Sequence, residues 1–143
     1  MENQPKILSS LQLQKMVFDR IDFKRTGFKN DNQPKFNFKS NFMQSTDNEN
    51  LFKVELVMRC KKEDEYTFEI KLDGYFSFSN DEMLNKDDKA ILITRNAVSI
   101  LMPYMRSQIS LLTAQPDVDC IVLPPFNINE MINNESNSEE KNE

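Results

Sequence analysis

Between Leu51 and Phe78 apolar and polar residues alternate almost without a break. Phe52, Val54, Leu56, Met58 and Cys60 fall on one side, with Lys53, Glu55 and Arg59 opposite, the period of two that a half-buried strand requires. A charged turn, Lys61 to Asp64, follows, and then Tyr66, Phe68, Ile70 and Leu72 alternate against Glu65, Thr67, Glu69, Lys71 and Asp73, continuing past Gly74 to Phe76 and Phe78. The two runs predict a hairpin. Gly74, inside the second run, predicts a bulge or bend.

Upstream, Leu11 to Lys24 carries Leu13, Val17, Ile21 and Phe23 on one side and Met16 and Phe18 on the other. It reads as a strand with apolar residues on both faces. A further strand is predicted around Phe36, Phe38 and Phe42, between the turn-prone stretches Lys29 to Pro34 and Ser45 to Asn50. After Asn80 the period lengthens, and Asp87 to Gln115 reads as a helix with Ile91, Val98, Leu101, Met105, Ile109 and Leu112 near one face. Pro103 removes a backbone donor inside it and predicts a kink or interruption near Ser99 to Met102, while Pro116 marks its end. Cys120 to Leu123 reads as extended, Pro124 and Pro125 block regular pairing, and Ile128, Met131 and Ile132 are spaced for a short helix over Asn127 to Ile132. The fold class predicted is α+β: four antiparallel strands in sequence order, then a long kinked helix and a short C-terminal helix.

Composition narrows the function. The 143 residues suit one domain, 1–132. The last eleven, Asn133 to Glu143, hold four Glu against one Lys and nothing apolar, which predicts a disordered acidic tail. No run is apolar enough for a membrane span, and Met1 to Ser10 lacks the features of a secretory signal, so a cytosolic location is expected. There is no histidine, and Cys60 and Cys120 are the only cysteines. A Cys/His zinc site and the usual Ser/His or Cys/His nucleophile pairs therefore lack their parts, and both thiols read as core residues. Two glycines cannot write a phosphate-cradling loop. Asp117, Asp119 and the run Glu63-Asp64-Glu65 fall in turns and read as solvated surface. No catalysis, metal or cofactor is expected.

A net charge of -5 disfavours nucleic acid at long range. Even so, Lys24, Arg25, Lys29, Lys35 and Lys39 interleave with Phe23, Phe28, Phe36 and Phe38, so a nucleic-acid-binding sheet stands as an alternative. The short terminal helix beyond the Pro-Pro joint suggests something else, a lid over an apolar groove floored by Phe36 and Phe38. The chain's eight Met suit a surface that repacks around varied partners. The same residues could equally fill a core.

Ile100-Leu-Met-Pro-Tyr-Met-Arg-Ser-Gln-Ile109, followed by Leu123-Pro-Pro-Phe-Asn-Ile128, resembles the signature of the SecB family, with Leu-Phe-Pro-Tyr-x-Arg in a long helix and Pro-Val-Asn-Phe before a last helix. Leu13 to Phe23 is similar to that family's first strand, Gln33-Pro34 precedes its second, and Gly74-Tyr75-Phe76-Ser77 stands where its fourth has Gly-x-Phe-Ser. The likeness runs from about residue 11 to 132. It implies an ATP-independent holdase that keeps unfolded polypeptides or preproteins in a hydrophobic groove, assembled as a tetramer, a dimer of dimers. By position it implies client contact through Phe36, Phe38, Ile128, Met131 and Ile132. It also implies docking of the translocation motor SecA through acidic residues on the sheet. Glu69 matches one such position, whereas Arg20 and Lys24 reverse the charge at two others. A relative serving a dedicated client such as an antitoxin would share the same residues.

Overall fold

The computed structural model describes residues 11–48, 50–78 and 86–125. Four strands, β1 (Leu11–Arg25), β2 (Lys35–Gln44), β3 (Leu51–Lys62) and β4 (Tyr66–Phe78), precede one helix, α1 (Lys86–Thr113). Every neighbouring pair is antiparallel, and the order across the sheet is β1-β4-β3-β2. The strands thus do not lie side by side in chain order. β2, β3 and β4 form a meander, and β1 pairs with the far side of β4, which gives both long apolar strands, β3 and β4, a neighbour on each edge.

That arrangement requires residues 26–34 to cross the end of the sheet. The β3–β4 turn receives them: Glu65 N–H donates to the Lys62 carbonyl at 3.1 Å, and Asp64 takes φ 61°, a left-handed conformation that Asp tolerates. The N–H groups of Thr26 and Gly27 donate to the Glu65 carbonyl at 2.8 and 3.1 Å, and the side-chain amides of Asn30 and Asn32 both donate to the Glu63 carbonyl at 2.9 Å. The crossing is close enough that a Cβ at Gly27 would collide with the backbone carbonyl of Asp64. Beneath it Lys62 and Glu65 form a buried ion pair at 2.8 Å, with side chains 6% and 0% exposed. Burial opposes ionisation of Glu65, but Lys62 and the Asn30 N–H, which donates to the same carboxylate at 2.8 Å, together hold it below the ordinary range.

One face of the sheet makes the core. Val54, Leu56, Met58 and Cys60 of β3 lie opposite Gly74, Leu72, Ile70 and Phe68 of β4, and α1 covers them with Ala97, Val98, Leu101, Met105 and Ile109, all fully buried. Gly74 marks the closest approach of the helix rather than a bulge, since a Cβ there would stand 2.8 and 2.9 Å from the Leu101 methyls. The irregularities lie in β1 instead, where the register shifts between Leu13 and Lys15 and again between Phe18 and Arg20. Each extra residue restores phase: Leu11, Leu13, Met16, Phe18, Ile21 and Phe23 pair with Phe78, Phe76, Gly74, Leu72, Ile70 and Phe68. All six therefore share the α1 side, and the expected apolar residues on both faces reduce to Val17 alone.

The helix runs without interruption through Pro103. Ser99, whose carbonyl lost its donor to Pro103, is exposed, and water can satisfy it. α1 ends at Thr113, before Pro116, which opens a turn closed by Val118 N–H on the Gln115 carbonyl at 3.3 Å with Asp117 at φ 61°. Cys120 to Leu123 joins no strand. It lies along α1, with Ile121 N–H donating to Thr113 Oγ1 and Ser110 Oγ donating to the Ile121 carbonyl, both at 2.8 Å. The predicted helix Asn127 to Ile132 and the acidic tail fall outside the described residues.

Candidate client groove and the opposite sheet face

α1 rests on β4, β1 and β3. On the same side, edge strand β2 turns Phe36, Phe38 and Phe42 toward its neighbours Cys60, Met58 and Val54. Phe36 meets Phe68 edge to face at 6.4 Å between centroids, and Phe42 stacks on Phe52 at 5.2 Å. Yet Phe36 remains 39% exposed, and Phe38 and Phe42 are half-buried. The result is an aromatic margin beside the helix that is anchored in the core and open outward. Two of the five expected contact residues, Phe36 and Phe38, are thus on one strand face two positions apart. Ile128, Met131 and Ile132 lie outside the described residues.

Sequence reasoning gave Phe28 no part in this surface. It stands on the crossover at 89% exposure, next to residues that Arg25 and Lys29 tie to the segment after α1. Arg25 donates to the Asp117 carbonyl at 3.1 Å, and Lys29 pairs with Asp119 at 3.0 Å. The signal was an aromatic in a polar, turn-prone stretch with no alternation to bury it. Farther along, Tyr104 and Leu111, seven residues apart on the outer side of α1, are 46% and 69% exposed.

The other sheet face carries no helix among the described residues and is rich in charge, with Val17, Met43 and Leu51 exposed among the charged positions. Two adjacent cross-strand rows read Asp22, Glu69, Arg59, Asn37 and Lys24, Thr67, Lys61, Lys35. Together with Phe36, Cys60 and Phe68 of the row between them they line a depression of about 530 Å³. Glu69 does not project freely from it: Arg59 approaches at 2.7 Å and Arg20 at 3.3 Å, and these two, Arg59 foremost, hold its carboxyl below the usual range. Farther up, Lys71 reaches Glu55 at 2.6 Å and Asp19 at 3.4 Å, and Lys53 lies 3.7 Å from both Glu55 and Asp73. This placement corrects the interleaved nucleic-acid reading, because Lys24, Lys35 and Lys39 face away from Phe23, Phe36 and Phe38.

The cysteines also divide. Burial pushes the Cys60 thiol up to about 12, leaving it inert at neutral pH. Cys120 is exposed rather than a core residue, its thiol donating to the Ser110 carbonyl at 3.4 Å. Among the described residues no three His, Cys, Asp or Glu side chains are grouped to hold a metal ion, and no helix is long and apolar enough to cross a membrane.

These features define a two-layer α+β protein with one apolar sheet face only partly covered. The profile of the family described as preprotein translocase subunit SecB matches residues 3–139, and the chain belongs to the SecB family. That membership supports a chaperone role rather than an enzymatic one. No curated protein matches the chain. Among solved structures, a SecB-like chaperone of Mycobacterium tuberculosis, in complex with a peptide from the HigA1 antitoxin, is similar with a TM-score of 0.70 at 12% identity, over 86% of this chain and 94% of that one. A protein of unknown function from Streptococcus agalactiae gives 0.47 at 13% identity, over 80% and 97%.

Proposed function

We propose that this chain is an ATP-independent holdase of the cytoplasm that keeps unfolded polypeptides in an apolar groove beside α1. The observation that carries the reading is the aromatic margin of β2: Phe36 is packed on the core through Phe68 yet left open by the helix. An extended client adds main-chain hydrogen bonds along a strand edge while its side chains enter such a margin, which gives affinity without sequence selectivity. Ile128, Met131 and Ile132 are the further client contacts of this reading, and Phe28 extends the apolar track across the crossover. Tyr104 and Leu111 on the outer side of α1 supply the apolar contact for a dimer of dimers.

Two kinds of client fit the groove. Preproteins destined for SecA would require the sheet to present acidic residues to the motor, and Glu69 is the residue available for that docking. A dedicated client is the second reading, favoured by the ion pairs of Glu69 with Arg59 and Arg20, which leave little free negative charge there, and by the antitoxin peptide held by the Mycobacterium tuberculosis relative.

The deciding experiment dilutes a denatured, export-prone polypeptide into buffer with and without the protein, without ATP, and follows light scattering. Suppression near one client per assembly is expected. Phe36→Asp combined with Met131→Asp should abolish it while folding and assembly persist, because a charge in a desolvated groove is costly. Unchanged protection by that folded variant would remove the groove assignment.

A further inference from the structure

The chain is acidic, with a net charge of -5, yet its helix-free sheet face is basic. Strand positions on that face carry nine cationic side chains against five carboxylates. The carboxylates are largely spent on neighbours, since Glu69 is shared by two arginines and Glu55 by two lysines. Lys24, Lys35 and Lys39 are left without a carboxylate partner among the described residues. Lys24 and Lys35 stand at the two ends of the row Lys24, Thr67, Lys61, Lys35, which spans all four strands and borders the depression of about 530 Å³.

We infer that this depression docks an acidic polypeptide segment of a partner protein. The fixed positive surplus selects an anion, and three features select a polypeptide. The surface is concave, which suits a chain segment better than a lipid plane. The phenylalanines that could stack on bases project from the opposite face, so the platform that single-stranded nucleic acid requires is missing here. Asp22, on the depression's rim, has no ion-pair partner among the described residues. A peptide backbone offers it N–H donors, whereas the backbone of a DNA strand presents only acceptors and would be repelled. The charged rows lie on the other side of the sheet from the client groove, with Phe36 of edge strand β2 bordering both, and the inference stands whether or not the groove holds clients.

The test measures fluorescence anisotropy of a labelled oligoglutamate peptide, with an oligolysine and a single-stranded DNA oligonucleotide as comparisons, against the full chain. Oligoglutamate should bind and oligolysine should not, and the affinity should fall steeply as salt rises from about 0.05 M to about 0.3 M. Lys24→Glu with Lys35→Glu and Lys61→Glu, all three exposed, should weaken binding at least about tenfold while the fold and client protection are retained. Met131→Asp alone should leave oligoglutamate binding as it is in the unaltered protein. Absence of oligoglutamate binding, or binding indifferent to the three lysines, would overturn the inference. Tighter binding of the DNA strand would replace the polypeptide by nucleic acid. Binding seen only after residues 133–143 are removed would make the chain's own acidic segment the occupant instead of a partner.

Discussion

Asp73 faces the charged side of the sheet, yet its side chain is only 5% exposed and its Oδ1 lacks a hydrogen-bond partner. Burial raises its carboxyl above the ordinary range, outweighing the attraction of Lys53 and Lys71. An acid whose folded pKa is raised is penalised where it ionises in the folded state, and the penalty is absent below its unfolded pKa, about 4. Asp73→Asn should therefore stabilise the protein at neutral pH, read as a higher urea midpoint. In urea titrations that advantage should shrink as the pH is lowered through the raised pKa and be gone below about 4. The alternation in the sequence placed Asp73 on the polar face correctly. It could not show its burial, because the groups around it, Lys53, Lys71 and Glu55, are brought there by pairing between strands. Phe28 is the converse case, an aromatic whose sequence surroundings said turn and whose 89% exposure depends on a loop held at both ends.

At the scale of elements, the four strands and the long helix are legible from period alone, and their ends fall within a few residues of expectation. β1 is the exception in its faces. Its apolar residues come at spacings of two and three, which a strict period of two divides between sides. The two bulges recombine them, and bulges are fixed by the partner strand. Removing Gln14 should return Leu11 and Leu13 to the charged face or force the strand to slip, since one residue of register flips every side chain. Leu11 is 5% exposed, so the deletion should cost about 2–3 kcal/mol in urea unfolding. Gln14→Ala keeps the residue count and loses only the 2.6 Å hydrogen bond to Ser77, which should cost about 1 kcal/mol or less. Pro103 is a place where the expected interruption does not occur. Its local penalty is general, but exposed Ser99 on the preceding turn lets the helix continue.

For the whole molecule, alternation states which face a residue joins and is silent about which strand lies beside it. The order β1-β4-β3-β2 was therefore not available from period, nor was the basic sheet face, which exists only once lysines from four strands align in rows. The net charge of -5 concealed it. Spacing put Phe36 and Phe38 on one strand face, while their exposure follows from α1 resting on the other three strands.

The same strand order governs how the molecule assembles itself. Leu11 pairs with Phe78 and Arg25 with Tyr66, so β1 has no partner until the β2–β3–β4 meander is complete and the crossover has closed over its turn. Closing loops of that length makes the pairing entropically late. In stopped-flow experiments, Ile70→Val in the meander should slow refolding, whereas Phe18→Leu in β1 should leave the refolding rate nearly unchanged and speed unfolding. Until that last pairing forms, β1 is itself an extended, apolar, unpartnered segment, the kind of chain that the proposed groove would hold.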